Sequence, residues 1–273
     1  MDETAQQEQR GGLGGWLRLV LWVAIAAWLL RSLIVAPFNI PSASMIPTMW
    51  IGDYLFVTKW NYGYSRFSFP GQFPSFEGRI LERLPERGDV VIFKRPDAAA
   101  NDWVKRVIGL PGDRVSMSEG TIMLNGRPVA RQAAGSVVIP ITPNSNCTTR
   151  PGALQAIVLA DGEPACRYAA FRETLPGGRS YLTIEQVRSA PQDDQPTIVV
   201  PPGHLFLLGD NRDDSADSRF TMEEGGIGLV PTDRLVGKAA MAFWSTDGSG
   251  DYLNPLSWFS ALRWDRLFQG YQP

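Results

Sequence analysis

Polar residues open the chain. Residues 1–15, MDETAQQEQRGGLGG, hold no apolar periodicity and read as an unstructured tail. An apolar run follows from Trp16 to Val35, about the 20 residues a helix needs to cross a bilayer. Arg18 and Arg31 bracket its uninterrupted core, Leu19 to Leu30, and can reach opposite headgroup layers, with Trp16 at one interface. A cleaved signal peptide is the competing reading. Its apolar region is usually only about 7–15 residues and its start is basic, whereas here Asp2, Glu3 and Glu8 outnumber Arg10. The pattern predicts an uncleaved anchor over 16–36, ended by Pro37. Arg10 and Arg18 on one side against Arg31 on the other leave its orientation open.

Beyond Pro37 the periodicity changes. Short apolar runs alternate with turn residues: DYLFVTKW, GDVVIFKRP, DWVKRVIGLPGD, TIMLNGRPV, PTIVVPPG, HLFLLGD and LVGKAAMAFW. Each predicts a strand, and together they predict a mainly β body. Asn125-Gly126 is a two-residue hairpin signal. The stretch 116–202 differs: it holds both cysteines, much Pro, Gly and Asn, and weak periodicity. It predicts a second lobe inserted between two parts of the body, 37–115 and 203–273. The C-terminal WFSALRWDRLFQ, with Trp258, Phe259, Trp264 and Phe268, predicts a short amphipathic helix. Packing on the core and lying on a membrane surface fit it equally.

Composition narrows the classes. With 44% hydrophobic and 20% charged residues the chain is an ordinary folded one, and a net charge of −2 gives no reason to expect a nucleic-acid partner. Cys147 and Cys166 do not form a CxxC pair, and their surroundings lack further metal ligands. They are either two buried thiols or, in an oxidising compartment, a bridge worth about 3 kcal/mol. The single histidine, His204, cannot supply HExxH, and in PPGHLFLLGD it reads as a packing or surface residue rather than a triad base. GxGxxG, GxSxG and Walker A patterns are absent from the sequence.

A serine activated by lysine remains. Lys105 lies in DWVKRVIGL, on one strand face with Trp103 and Val107. Surface strands also carry lysines, but a lysine on an apolar face is desolvated, which favours its neutral form. An ordinary lysine is neutral in roughly a few molecules in ten thousand at pH 7; matching its pKa to that pH requires about 4–5 kcal/mol. Burial in a dry site supplies that much. The serines of Ser42-Ala43-Ser44 follow the anchor, where small-x-small also reads as a cleavage site.

Four stretches, in order, carry a resemblance: IPSASMIPTM (40–49), RGDVVIFKRP (87–96), WVKRVIGLPGD (103–113) and GDNRDDSADSR (209–219). They resemble the successive boxes of bacterial type I signal peptidases, Ser-Lys proteases, over nearly the whole chain from about Arg31. The resemblance implies an antiparallel β catalytic body with an inserted lobe behind one transmembrane helix. It implies Ser44 as nucleophile, Lys105 as general base, and the Ser42 hydroxyl with the Ser44 N–H as oxyanion hole. Ser215 would orient the lysine; Arg106, Asp210, Asp217 and Arg219 would form a structural polar cluster, with Asp210 against Arg106. Phe38, Ile40, Met49 and Val104 would wall subsites that favour Ala one and three residues before the cut. Substrates would be the signal peptides of exported pre-proteins, met at the membrane lipid, with no metal or organic cofactor. The tail would be cytoplasmic and the body on the periplasmic side of the inner membrane, where Cys147 and Cys166 would form a disulfide.

The chain departs from the family pattern at three places. Ala43 stands where Gly is usual, Asp214 where Asn is usual, and one span is visible where a well-known Gram-negative member has two. Two rivals are a Ser-Lys protease dedicated to one substrate or to itself, as in self-cleaving repressors, and a membrane-tethered β-domain that only binds. The repressors carry a DNA-binding domain where this chain has an anchor, and a binding module has no use for Ser44, Lys105 and Ser215 together.

Overall fold

The structure is a computed structural model that describes residues 13–97, 101–147, 156–187, 190–251 and 253–271. Most of the expected tail, residues 1–12, lies outside them. The anchor is a helix, α1 (Leu13–Leu29), with a wider last turn over Leu30–Ile34. It starts earlier than expected and reaches a mean hydropathy of 1.9 over a stretch long and apolar enough to cross a membrane. It also ends before Pro37, because Val35 is already extended. Proline disfavours the helical region at the residue before it, so Ala36 turns out of the helix and Pro37 sits in an end strand, where its missing N–H costs no ladder bond. The Tyr64 hydroxyl donates to Leu33 O at 2.9 Å and the Lys59 N–H to Ile34 O at 3.0 Å, tying the helix end to the body.

Among the described residues fifteen strands follow: β1 (Val35–Asn39), β2 (Asp53–Thr58), β3 (Val90–Lys94), β4 (Asp102–Gly109), β5 (Arg114–Ser118), β6 (Thr121–Leu124), β7 (Arg127–Pro128), β8 (Ala130–Pro140), β9 (Ala156–Val158), β10 (Pro164–Thr174), β11 (Ser180–Glu185), β12 (Gln195–Val199), β13 (His204–Leu208), β14 (Val230–Pro231) and β15 (Leu235–Ser245). All seven apolar runs form strands. They make three antiparallel sheets, ordered β1-β2-β15-β3-β4-β13-β14, β12-β5-β6-β7, and β11-β10-β8 with β9 on β10. Asn125 and Gly126 both take positive φ, 54° and 77°, and close the β6–β7 hairpin with Leu124 opposite Arg127.

Alternation decides the faces. Leu55 and Val57 of β2 point into a core with Met45, Met49, Val90 and Val104, while Tyr54 and Phe56 point out. A second core joins Ile108 and Phe206 of the large sheet to Val115, Ile122 and Leu124 of the neighbouring one. The β8–β11 sheet has its own small core of Ile139, Cys166, Tyr168 and Ile184, onto which Ile46 and Ala43 pack. A disulfide joins Cys147 to Cys166 there, with Cα atoms 5.6 Å apart.

The C-terminus is not the amphipathic helix expected. It makes one helical turn, Ser257–Ser260, and a 3-10 turn, Trp264–Arg266. Trp258, Phe259, Trp264 and Phe268 are exposed, and the segment is held instead by polar groups. Arg266 pairs with buried Asp53 at 2.6 Å, the Tyr271 hydroxyl donates to the same carboxylate at 3.2 Å, and Arg263 donates to Ile51 O at 2.8 Å. Periodicity could not show that two arginines hold the segment to the body.

Candidate active site

The β1–β2 connection carries Ser44. Ser42 is extended, and Ala43–Met45 then form one 3-10 turn closed by the Ile46 N–H on Ala43 O at 3.0 Å. Met45 is fully buried below this turn, so the turn cannot roll, and Ser44 faces a cleft of about 820 Å³. Ser44 thus stands in a 3-10 turn, with only Ser42 of the small-x-small stretch extended.

Lys105 reaches the same point from β4, opposite Val91 of β3. Its side chain is 2% exposed. Nζ donates to Ser44 Oγ at 2.8 Å and to Val104 O at 3.0 Å, and lies 5.3 Å from the Trp103 ring centre. Burial pushes the Lys105 pKa down to about 8, against the pull of the Asp217 and Asp210 carboxylates. Ser42 Oγ lies 3.4 Å from Ser44 Oγ. Phe38, Ile40 and Val104 line one side of the cleft, and Phe220 with Gly225 and Gly226 another. Met49 does not reach that wall; it is fully buried in the core behind it.

The 209–219 segment packs against both groups. Asp210 accepts Arg106 Nε at 2.8 Å and Nη2 at 2.6 Å, and the Thr48 hydroxyl at 2.5 Å. Asp217 accepts Arg219 Nε at 2.8 Å and the Gly209 N–H at 3.1 Å. Burial pushes the Asp217 carboxyl up, but Arg219 outweighs it and holds the group below the usual carboxylate range. Ser215 lines the cleft, yet its buried hydroxyl makes no hydrogen bond to Lys105; the lysine is held by the Val104 carbonyl. A Cβ on Gly209 would come 2.2 Å from Ser215 Oγ and 2.5 Å from Ser44 O, so only glycine fits between them. His204 is remote from this chemistry: it begins β13 opposite Pro231, with Nδ1 3.0 Å from Pro202 O.

Sequence reasoning missed the groups that tie this segment to the β8–β11 sheet. Arg212 pairs with buried Glu173 of β10 at 2.5 Å, and Tyr181 of β11 donates to the same carboxylate at 2.8 Å. Asp213 accepts the backbone N–H of Gln186 at 2.6 Å and the Gln192 amide at 2.9 Å. Arg212 and Asp213 lie inside the fourth box but were not singled out there. Nothing in the weakly periodic lobe announced Glu173 as a partner.

The sequence profile of the signal peptidase family, peptidase S26, matches residues 13–244. Signal peptidase I of Rickettsia typhi (strain ATCC VR-144 / Wilmington) is 32% identical over 265 residues, 91% of this chain and 90% of that protein. Signal peptidase I of Rickettsia massiliae (strain Mtu5) is 33% identical over 285 residues, 98% and 94% of the two chains. The crystal structure of a signal peptidase I from Enterococcus faecalis V583 is similar at 21% identity, covering 57% of this chain and 97% of that one, with a TM-score of 0.30. With the family profile spanning the helix, the Ser44 turn, the Lys105 strand and the 209–219 segment, the chain belongs to the signal peptidase family, peptidase S26.

Proposed function

We propose that this protein is a membrane-anchored serine endopeptidase that removes the N-terminal signal peptides of exported pre-proteins, with Ser44 as nucleophile and Lys105 as general base. One observation carries the reading: Lys105 Nζ is 2.8 Å from Ser44 Oγ in a site where burial brings the lysine to about 8. At that value roughly a tenth of the lysines are neutral at pH 7, against a few in ten thousand for an ordinary one. The substrate's cleavage segment lies extended along Phe38–Pro41, which border the cleft beside the end strand β1. Phe38, Ile40 and Val104 restrict the residues one and three before the cut to small side chains.

Neutral Lys105 takes the proton from the Ser44 hydroxyl as Oγ bonds to the scissile carbonyl carbon. The oxyanion is met by the Ser44 N–H and the Ser42 hydroxyl. The Lys105 ammonium then protonates the departing amine of the mature chain, which leaves an acyl ester on Ser44. A water deprotonated by the same lysine hydrolyses that ester. The Val104 carbonyl takes a second N–H of the lysine and orients it, and the Ser215 hydroxyl lines the same cleft. Arg106–Asp210 and Asp217–Arg219 hold the walls. Helix 13–34 anchors the enzyme in the inner membrane, and the Cys147–Cys166 disulfide favours a periplasmic body.

The test is cleavage, in detergent, of a pre-protein with an Ala-x-Ala site by wild type and by Ser44→Ala. Cleavage after the second Ala by wild type alone is expected. Cutting by both overturns Ser44 as nucleophile. Failure of both, in folded protein, favours a dedicated substrate or a binding module.

A further inference from the structure

The Ser44 N–H works as an oxyanion donor only if its peptide plane is aimed. That plane joins Ala43 to Ser44, so the Ala43 carbonyl and the Ser44 N–H belong to one rigid unit and point in opposite directions. Whatever holds the carbonyl aims the N–H. Ala43 O accepts two hydrogen bonds: the Ile46 N–H of its own turn at 3.0 Å, and Asn211 Nδ2 at 3.2 Å, 168 positions away in sequence. The backbone N–H of Asn211 also donates to Ser44 O at 3.1 Å, which pins the next peptide plane. One buried residue therefore holds both carbonyls that flank the nucleophile's backbone.

Asn211 is itself held. Its Oδ1 accepts Gln186 Nε2 at 3.0 Å, just past β11, and the Gln186 N–H is bonded to Asp213 at 2.6 Å. Both Asn211 and Gln186 are buried. Because a carbonyl only accepts, Ala43 O fixes which end of the Asn211 amide carries the NH2, and Gln186 then meets the oxygen. The chain Gln186–Asn211–Ala43 runs from the β8–β11 sheet to the oxyanion site.

We infer that Asn211 is a positioning residue for catalysis: its side-chain amide, locked by Gln186, aims the Ser44 N–H at the substrate's oxyanion. This rests on the reading of Ser44 as nucleophile and its N–H as oxyanion donor. It gives the inserted sheet a part in catalysis through the Asn211 amide rather than through contact with substrate.

The experiment compares full-length wild type, Asn211→Ala, Asn211→Asp and Gln186→Ala on an Ala-x-Ala peptide in detergent. Removing an oxyanion donor outright costs about 100- to 1,000-fold in kcat; a donor left in place but mis-aimed is expected to cost about 10- to 100-fold. KM should stay within about twofold, since substrate binding is not touched, and in Asn211→Ala and Gln186→Ala the kcat pH profile should keep its midpoint, since these changes add no charge near Lys105. Asn211→Asp keeps size and the acceptor for Gln186 but cannot donate to Ala43 O, so it should be as slow as Asn211→Ala. Gln186→Ala should fall in the same direction by a smaller factor. Full kcat in Asn211→Asp, a loss confined to KM, or a displaced pH midpoint in Asn211→Ala or Gln186→Ala overturns the inference. Should Asn211→Ala fail to fold, Asn211→Asp and Gln186→Ala decide on the same readouts. Ser44→Ala in parallel separates the two levels. If it still cuts, the nucleophile reading falls; if it is inert while the Asn211 variants are normal, only the positioning role falls.

Discussion

At the scale of the residue, burial alone does not identify the base. Burial pushes two lysines down, Lys59 to about 7 and Lys105 to about 8. Lys59 Nζ sits 5.5 Å over the Phe38 ring, whereas Lys105 Nζ meets a serine hydroxyl. Geometry, not the titration, separates them. For Lys105 the sign is then fixed. Its folded pKa lies below its ordinary value of 10.5, so between about 10.5 and about 8 the unfolded chain binds a proton that the folded chain does not. Its contribution to stability therefore falls as pH drops through that window and is constant below it. The proposed mechanism needs the neutral form, so kcat/KM should rise with pH to a plateau, with a midpoint near 8. Lys105→Arg, which cannot deprotonate, should lose the activity at every pH. Initial rates from pH 6 to 10 check both; a flat profile removes lysine as the base. Lys105 stood out because a lysine in an apolar strand is a costly choice; Ser44 was named only through the resemblance of its box. Asn211 was not legible, because its role exists only through two carbonyls far away in sequence.

At the scale of the element, the strands that were legible are those with one face buried, which alternate, or both faces buried, which run apolar throughout. β2 alternates cleanly, and β3 and β13 are continuous apolar runs. β8 and β10 were not legible. β8 is mostly exposed along its eleven residues, and Gly135 takes a φ of 79°, so no alternation marks it. The pairing of the two strands depends on each other and on a register shift at Ala169/Phe171. The Cys147–Cys166 bridge fastens this sheet where Ala43 and Ile46 lean on it. Replacing both cysteines by serine should cost about 3 kcal/mol of unfolding free energy by loop-closure entropy. It should also lower kcat modestly by loosening the Ser44 turn. Denaturant unfolding and peptide kinetics on the double variant check this. Unchanged stability would mean that the small core holds the sheet without the bridge.

At the scale of the whole molecule, the anchor and the cleft are linked by one short strand. β1 leaves the helix end at Val35 and reaches the cleft wall at Phe38, so the active site cannot stand far from the membrane surface. The large sheet turns an aromatic face outward on the strand next to β1. Tyr54 and Phe56 of β2 lie opposite Trp244 and Met241, and Phe243 stacks on Phe56 with ring centres 4.3 Å apart. The register shifts at Ala239/Met241 and Ala242/Trp244 bring an extra side chain to this face, so Phe243 and Trp244 share it. Exposed Trp and Tyr in a row suit a lipid headgroup layer better than open water. The expected consequence concerns substrate in the bilayer, not chemistry. A full-length Phe56→Ser/Trp244→Ser variant should cleave a short soluble peptide at the wild-type rate. Cleaving a pre-protein embedded in lipid vesicles, it should show a KM raised several-fold. Equal losses on both substrates would place the defect in the core behind β2, and equal activity on both would remove this face as a membrane contact.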